Sequence, residues 1–304
     1  MKQHRTRGHI HTPPHLACRL LHTAAGEALE QLQGPQPIPD EAIHDARKAL
    51  KKARAALRLL RDEISKTMYQ DENSGLRDAG RFLSTLRDAK SLVDAFDSLH
   101  DRYIQKLQGV ELAPLQKILR GNLTSARRHL NMPGKSTELK NGIRLLRDCV
   151  ALAKKEDFSS IDSATINSGL RRIYRKGYKA HADAKAAQTT EALHEWRKQV
   201  KYLLNAVDGL HTSKRDNAGD NVAKILKRAD HLAEYLGGDH ELAMLAQEIA
   251  RGTYAPVDAD VIKTLHALIH RRRAKLQQRA FRLGKKLYDR KPGQFAEKVA
   301  VSSG

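Results

Sequence analysis

The chain has 304 residues and carries 55 Lys and Arg against 35 Asp and Glu, a formal net charge of +20. That length supports two ordinary domains or one body built from related halves, and the charge calls for an anionic partner: nucleic acid, an acidic membrane surface or a smaller polyanion. The two cysteines, Cys18 and Cys149, exclude a disulfide framework and sit in no metal-ligand spacing, no run of about 18 apolar residues offers a membrane span, and the apolar stretch after the basic residues 1–15 is broken by Arg19 and His22, too short and too polar for a secretory signal, so a cytoplasmic setting is expected.

Hydrophobic residues make up 40% of the chain and are rich in Leu and Ala with few β-branched runs, which favours helices. Residues 1–14 read as a basic, His-rich tail, and Pro13-Pro14 precedes a first amphipathic helix over about 15–33 that stops at Gly34-Pro35. Asp40 is the expected N-cap of a helix over about 41–69. Leu83, Leu86, Ala89, Val93 and Phe96 keep three-and-four spacing in a third, over about 75–108. Pro114 opens a fourth, which ends near Pro133-Gly134.

Ser136 caps a helix to about 156, a basic helix covers about 161–187, and Thr190 caps one over about 191–211. The next runs from Val222 to Leu236, where Gly237-Gly238 suggests a bend or restart, and a last long helix spans about 258–289. No segment reads as a strand. The expectation is an all-α fold of two pseudo-symmetric bundles, about four helices each, with a first half over about 15–133, a second over about 134–292 and a C-terminal tail at 293–304.

The halves are suggested by two near-copies about half the chain apart, Ile43-His-Asp-Ala-Arg-Lys-Ala-Leu-Lys51 and Leu193-His-Glu-Trp-Arg-Lys-Gln-Val-Lys201. At about 100° per residue, Arg47, Lys48, Lys51, Arg54 and Arg58 share the side of the first helix that carries His44, opposite Ala46, Ala49, Leu50, Ala53 and Leu57. His194, Arg197, Lys198 and Lys201 form the same stripe in the second copy, opposite Trp196, Val200 and Leu203. A solvated helix face normally alternates charge, because like charges three or four apart repel. From His44 to Arg61 the only acid is Asp45, and from His194 to Asn205 the only acid is Glu195. Such repulsion, built in twice, fits an extended anion: Arg presents a planar fork suited to phosphate oxygens and Lys a mobile point charge, while His becomes a cation near neutral pH.

These residues resemble the CHAD domain, the conserved histidine α-helical domain, whose halves each begin with a His-acid-x-Arg-x-x-x-Lys helix. The resemblance covers about 15–292 and extends to Leu83-Ser-Thr-Leu-Arg-Asp88, Leu236-Gly-Gly-Asp-His-Glu241 and the basic stretch Leu170–Gly177, with Ser84 in place of the family's Gly and Glu241 in place of its Asp. It implies an all-helical, pseudo-two-fold fold with a central basic groove or pore, binding of inorganic polyphosphate, and association with polyphosphate granules. It also implies phosphate contacts from His44, Arg47, Lys48, Lys51, His194, Arg197, Lys198 and Lys201. Arg54 and Arg58, with Arg171, Arg175 and Lys179, are expected to extend the track, while Asp88 and Glu241 are expected to orient a nearby His or Arg.

The expected protein is non-enzymatic and uses no cofactor and no metal. A metal-dependent phosphohydrolase would need acids gathered beside the phosphate, and the stripes hold none; neighbouring His44 and Asp45 point about 100° apart. Sequence-independent nucleic-acid binding is the other alternative. Single-strand binders combine cations with aromatic platforms, and aromatics are 5% of this chain, with Tyr202 the one beside a stripe. Weak nonspecific nucleic-acid binding is expected as a by-product. Oligomeric state has no signal in the sequence.

Overall fold

The computed structural model describes residues 16–299 apart from 36, 82, 131–135, 156–162, 212–219 and 252–256. Among the described residues there are eleven α-helices, one short 3-10 turn and no strand. None of these helices is long and apolar enough to cross a membrane. Both cysteines are free and buried.

Helices α1 (Leu16–Gln33) and α2 (Asp40–Leu59) make the most extensive pair. Ala17, Ala24, Ala25 and Ala28 of α1 and Ala46, Ala49, Ala53 and Ala56 of α2 are buried, and such small side chains let two axes approach closely. With its alanine face spent on α1, α2 turns its cations the other way. Asp40 does not cap α2: the chain enters the helix from Pro39 with no side-chain cap, and the Asp40 carboxylate accepts from Arg127 Nε at 3.1 and 3.2 Å.

The helix expected over 41–69 stops at Leu59, and the one expected over 75–108 is divided between α3 (Lys66–Arg81) and α4 (Ser84–Arg102). Tertiary contacts account for the first break. Arg172 donates to the carbonyl of Arg58 at 2.6 Å and pairs with Asp62, so the end of α2 is held from a later helix. Ser65 Oγ then accepts from the Met68 N–H at 3.1 Å and starts α3. At the second break the Ser84 hydroxyl donates to the Arg81 carbonyl at 2.6 Å, a local bond that competes with the helical ladder.

Helix α5 (Ala113–Leu130) carries Pro114 in its first turn, and α6 (Ser136–Lys155) packs on α1 and α3 rather than on the helices that follow it. The second series comprises α7 (Ser163–Ala187), α8 (Thr190–His211), α9 (Asp220–Ala250) and α10 (Ala259–Leu287). Thr189, not Thr190, caps α8, its Oγ1 accepting from the Ala192 N–H at 3.2 Å; the Thr190 hydroxyl accepts from Arg273 at 3.1 Å. Helix α9 runs unbroken through Gly237-Gly238. Packing accounts for Gly238, where a Cβ would lie 3.3 Å from Leu276 of α10; on Gly237 a Cβ would meet nothing nearer than Arg197 Nε at 3.8 Å, an ordinary contact.

The stretch read as a C-terminal tail contains α11 (Pro292–Val299), whose Phe295 is 1% exposed and stacks on Tyr174 of α7 with ring centroids 3.9 Å apart. Across the middle of the molecule α2 packs on α8 and α4 packs on α9. Those four helices enclose the site.

Candidate functional site

Between α2, α4, α8 and α9 lies a cavity of about 970 Å³. His44, Arg47, Lys48 and Lys51 of α2 and Arg197 and Lys201 of α8 line it. The reason is the one-sidedness of each helix: α2 buries its apolar face on α1 and α8 packs on α7 and α9, so the first turns of the α2 stripe and Arg197 and Lys201 of the α8 stripe are left to share one space.

Crowding of like charge dominates the electrostatics. Burial, then the guanidiniums of Arg87 and Arg197, holds Arg47 down at about 10, with Asp88 opposing. Lys51 stays exposed along part of its length but is densely surrounded by protein, and burial with Arg47, Arg87, Arg197 and Lys201 brings it down to about 7. Burial and Arg87 depress Arg197, and burial and Arg197 depress Lys201 against the pull of Asp230, Glu234 and Glu241. Arg197 Nε is buried without a hydrogen-bond partner. In each of these cations burial and neighbouring like charge outweigh whatever counter-charge stands near.

Other selected residues stand elsewhere. His194 faces His240 of α9, with Nδ1 atoms 3.3 Å apart, and burial followed by Arg197 and Lys198 lowers its pKa. His240 is held down at about 4 by burial and by His194. Lys198 is paired with Glu195. Arg54 and Arg58 both reach Asn73 of α3 at 3.4 Å, and the Arg58 guanidinium lies 3.7 Å above the Tyr202 ring. Tyr202 is 8% exposed and covered by that cation, so it offers no platform for a base. Arg171, Arg175 and Lys179 lie on the exposed face of α7, outside the cavity.

The two matched acids differ in placement. Asp88 is outside the cavity and accepts from Arg87 at 3.1 Å, whereas Glu241 is in the wall, its pKa raised by burial against the pull of Arg197 and Arg87. Sequence reasoning missed several wall residues. Arg87 and Lys90 of α4 and Lys227 of α9 line the cavity, and so do Asp94, Asp208 and Asp230. Arg87 had a legible signal, since it occupies in the first half the place that His240 holds in the second. Lys90 had none: it pairs with Asp94 at 3.0 Å in an ordinary alternation of charge.

The wall holds nine Lys or Arg and five Asp or Glu in all, so the cavity is not free of acids as the stripes alone suggested. Those acids do not gather: among the described residues no three His, Cys, Asp or Glu side chains converge as metal ligands would. One further acid also escaped the sequence reading. Asp239, 1% exposed, accepts from Arg273 Nε at 2.9 Å and from Gln277 at 2.8 Å, and it ties α9 to α10.

The site is thus a cavity in an all-helical body on which cations from separate helices converge. The family model of the CHAD domain matches residues 23–250, most of the chain, and the protein belongs to the CHAD domain family, in general a non-catalytic binding domain. The crystal structure of the CHAD domain from the plant Ricinus communis is similar in fold, with a TM-score of 0.57 at 17% identity over 88% of this chain and 90% of that one. No curated protein matches the chain in sequence.

Proposed function

We propose that this CHAD protein binds inorganic polyphosphate, without chemical turnover, in the cavity between α2 and α8, and that it works at polyphosphate granules. One observation carries the binding claim: Arg47, Arg87, Arg197 and Lys201, from three helices, surround one space together with Lys51 and hold its pKa down. A chain of phosphoryl groups supplies the missing counter-charge at every one of them, with oxygens spaced for Arg forks. The granule setting rests on the family alone.

Under this reading the chain is two related halves around a channel, α1, α2, α4 and α5 answering to α7, α8, α9 and α10. The packing supports it: α1 lies on α2 as α7 lies on α8, α4 on α5 as α9 on α10, and α2 and α4 each meet their own counterpart, as elements beside a two-fold do. Helices α3 and α6 then fall outside the correspondence, and the halves meet after α6 rather than near residue 133.

The test is Arg47→Glu with Arg197→Glu, titrated against labelled long-chain polyphosphate near physiological salt. Loss of two charge-assisted contacts, about 1.5–3 kcal/mol each, weakens affinity by about 100-fold or more; unchanged affinity refutes the site. DNA that displaces the polymer at equal phosphate concentration refutes the specificity. Release of orthophosphate by the pure protein with a divalent metal refutes the absence of turnover.

A further inference from the structure

A second, smaller basic cavity lies on the far side of α9, and we propose that it is a separate binding site for a short run of linked phosphoryl groups. Ala223, Leu226, Lys227 and Asp230 face the central cavity, whereas Asn221, Lys224, Ile225 and Arg228 face the smaller one. Each set has the i, i+3, i+4, i+7 spacing of one helical stripe. The sets are offset by two residues, about 200° around the axis. The N-terminal turns of α9 are therefore a partition with cations on both sides.

Three helices build the smaller cavity. Lys224 and Arg228 come from α9, Lys286 from the last turn of α10, Lys298 from α11, and Arg290 from the connection before it, against one acid, Asp289. Arg228 donates to the Lys286 carbonyl at 3.2 Å, which fixes its guanidinium at the end of α10. Leu287 and Phe295, both buried, supply an apolar floor. The negative pole of α10 attracts cations and accounts for Lys286. It gives no reason for Arg228, near the opposite pole of α9, whereas Lys224 stands 3.8 Å from Asp220 one turn before it.

Size narrows the ligand. The volume is about 240 Å³, the share of roughly eight liquid waters at about 30 Å³ each. A few linked phosphoryl groups fit such a space, and a nucleic-acid helix or a protein segment does not. Five cations from separate elements suit a ligand with several anionic oxygens better than a single carboxylate. That the anion is a phosphate chain rests on the reading above; that the cavity takes an anion does not. The same chemistry has two sources, a free oligophosphate or the end of a polymer that leaves the central cavity across α9.

Inorganic tripolyphosphate is the probe, titrated by calorimetry into the full chain near physiological salt. The expected result is two bound per wild-type chain and one per chain carrying Lys224→Glu with Lys286→Glu. Both lysines are exposed, so the fold survives, which an unchanged melting temperature checks. Lys298→Glu alone weakens the second site severalfold. Arg47→Glu with Arg197→Glu, if it keeps its melting temperature, retains one tripolyphosphate, held in the smaller cavity. Tripolyphosphate binding that is wholly indifferent to Lys224, Lys286 and Lys298 overturns the proposal.

Long-chain polymer separates the sources: a tenfold loss of its affinity in the Lys224→Glu, Lys286→Glu chain identifies continuing polymer, and no loss identifies a free oligophosphate. Failure of the central site shows differently, as long-chain binding that survives Arg47→Glu with Arg197→Glu.

Discussion

Filling the central cavity with polyphosphate draws protons into it, and Lys51 sets how many. In the empty protein Lys51 titrates at about 7 because burial and four neighbouring cations oppose its charge. Polymer oxygens beside it reverse that opposition and return it toward the ordinary 10.5. At pH 8 a group with a pKa near 7 is about 10% protonated, so binding takes up about 0.9 proton at pH 8, about 0.5 at pH 7 and about 0.1 at pH 6. The bound state holds the extra proton, so affinity falls as pH rises above 7, by up to about tenfold per unit. Without ligand the sign is opposite. The folded pKa lies below the unfolded one, so the repulsive penalty is fully present below pH 7 and is relieved as pH climbs from 7 toward 10.5.

The assay is calorimetric titration with long-chain polymer, whose end groups are few, in pairs of buffers that differ in ionisation enthalpy. Lys51 is exposed in part, and solvent screening draws its pKa back toward 10.5. Each unit of that retreat moves the uptake curve one pH unit higher without reversing its direction. Lys51→Arg keeps the cation but cannot titrate in this range, so its uptake at pH 8 vanishes and its affinity flattens between pH 7 and 9. No uptake at any pH from 6 to 10, or equal uptake in Lys51→Arg, refutes the reasoning.

Gly284→Ala places a Cβ 2.5 Å from Trp196 Cζ2 and 3.0 Å from His181 Cδ2; it destabilises by about 1–3 kcal/mol, read as a lowered melting temperature, with unaltered polymer affinity in the folded fraction. Asp239→Ala leaves the Arg273 guanidinium, 21% exposed, without its carboxylate, and lowers stability by about 3 kcal/mol in a denaturant titration. Glu241→Gln removes a half-buried carboxylate from the cavity wall and tightens polymer binding severalfold at pH 8. Weaker binding of that variant instead assigns Glu241 to the orientation of Arg197.

What could be read from sequence is what a single helix decides. The division of α2 into an alanine face and a cationic face is such a property, and it puts Arg47 and Lys51 in the cavity. Which neighbour stands opposite at each height along the helix is a property of the assembly. Arg54 and Arg58 continue the same face, yet α2 outlasts the cavity, and its last turns meet Tyr202 and Asn73 instead. Helix ends failed for a related reason. The end of α2 is fixed by Arg172, more than a hundred residues later, whereas local chemistry marked Ser65 as a start that periodicity overran. Gly238 carried a true signal with the wrong meaning, close approach of α10 rather than a bend or restart.

The five acids in the wall complete the electrostatic argument. A cavity lined by nine cations alone would repel itself when empty. Asp230 and Glu241 pull Lys201 upward, and Asp94 holds Lys90, so part of the repulsion is already offset in the unliganded state. The same acids oppose any anion that enters. A single orthophosphate brings one or two charges and meets both signs at close range, so its gain is small. A long polymer brings a charge on every unit and stays tethered, so each further phosphoryl meets its cation at a high effective concentration. Under the proposed function, acids mixed among the cations suppress short anions more than long ones, and a wall of mixed charge discriminates polymer from phosphate better than a purely basic wall.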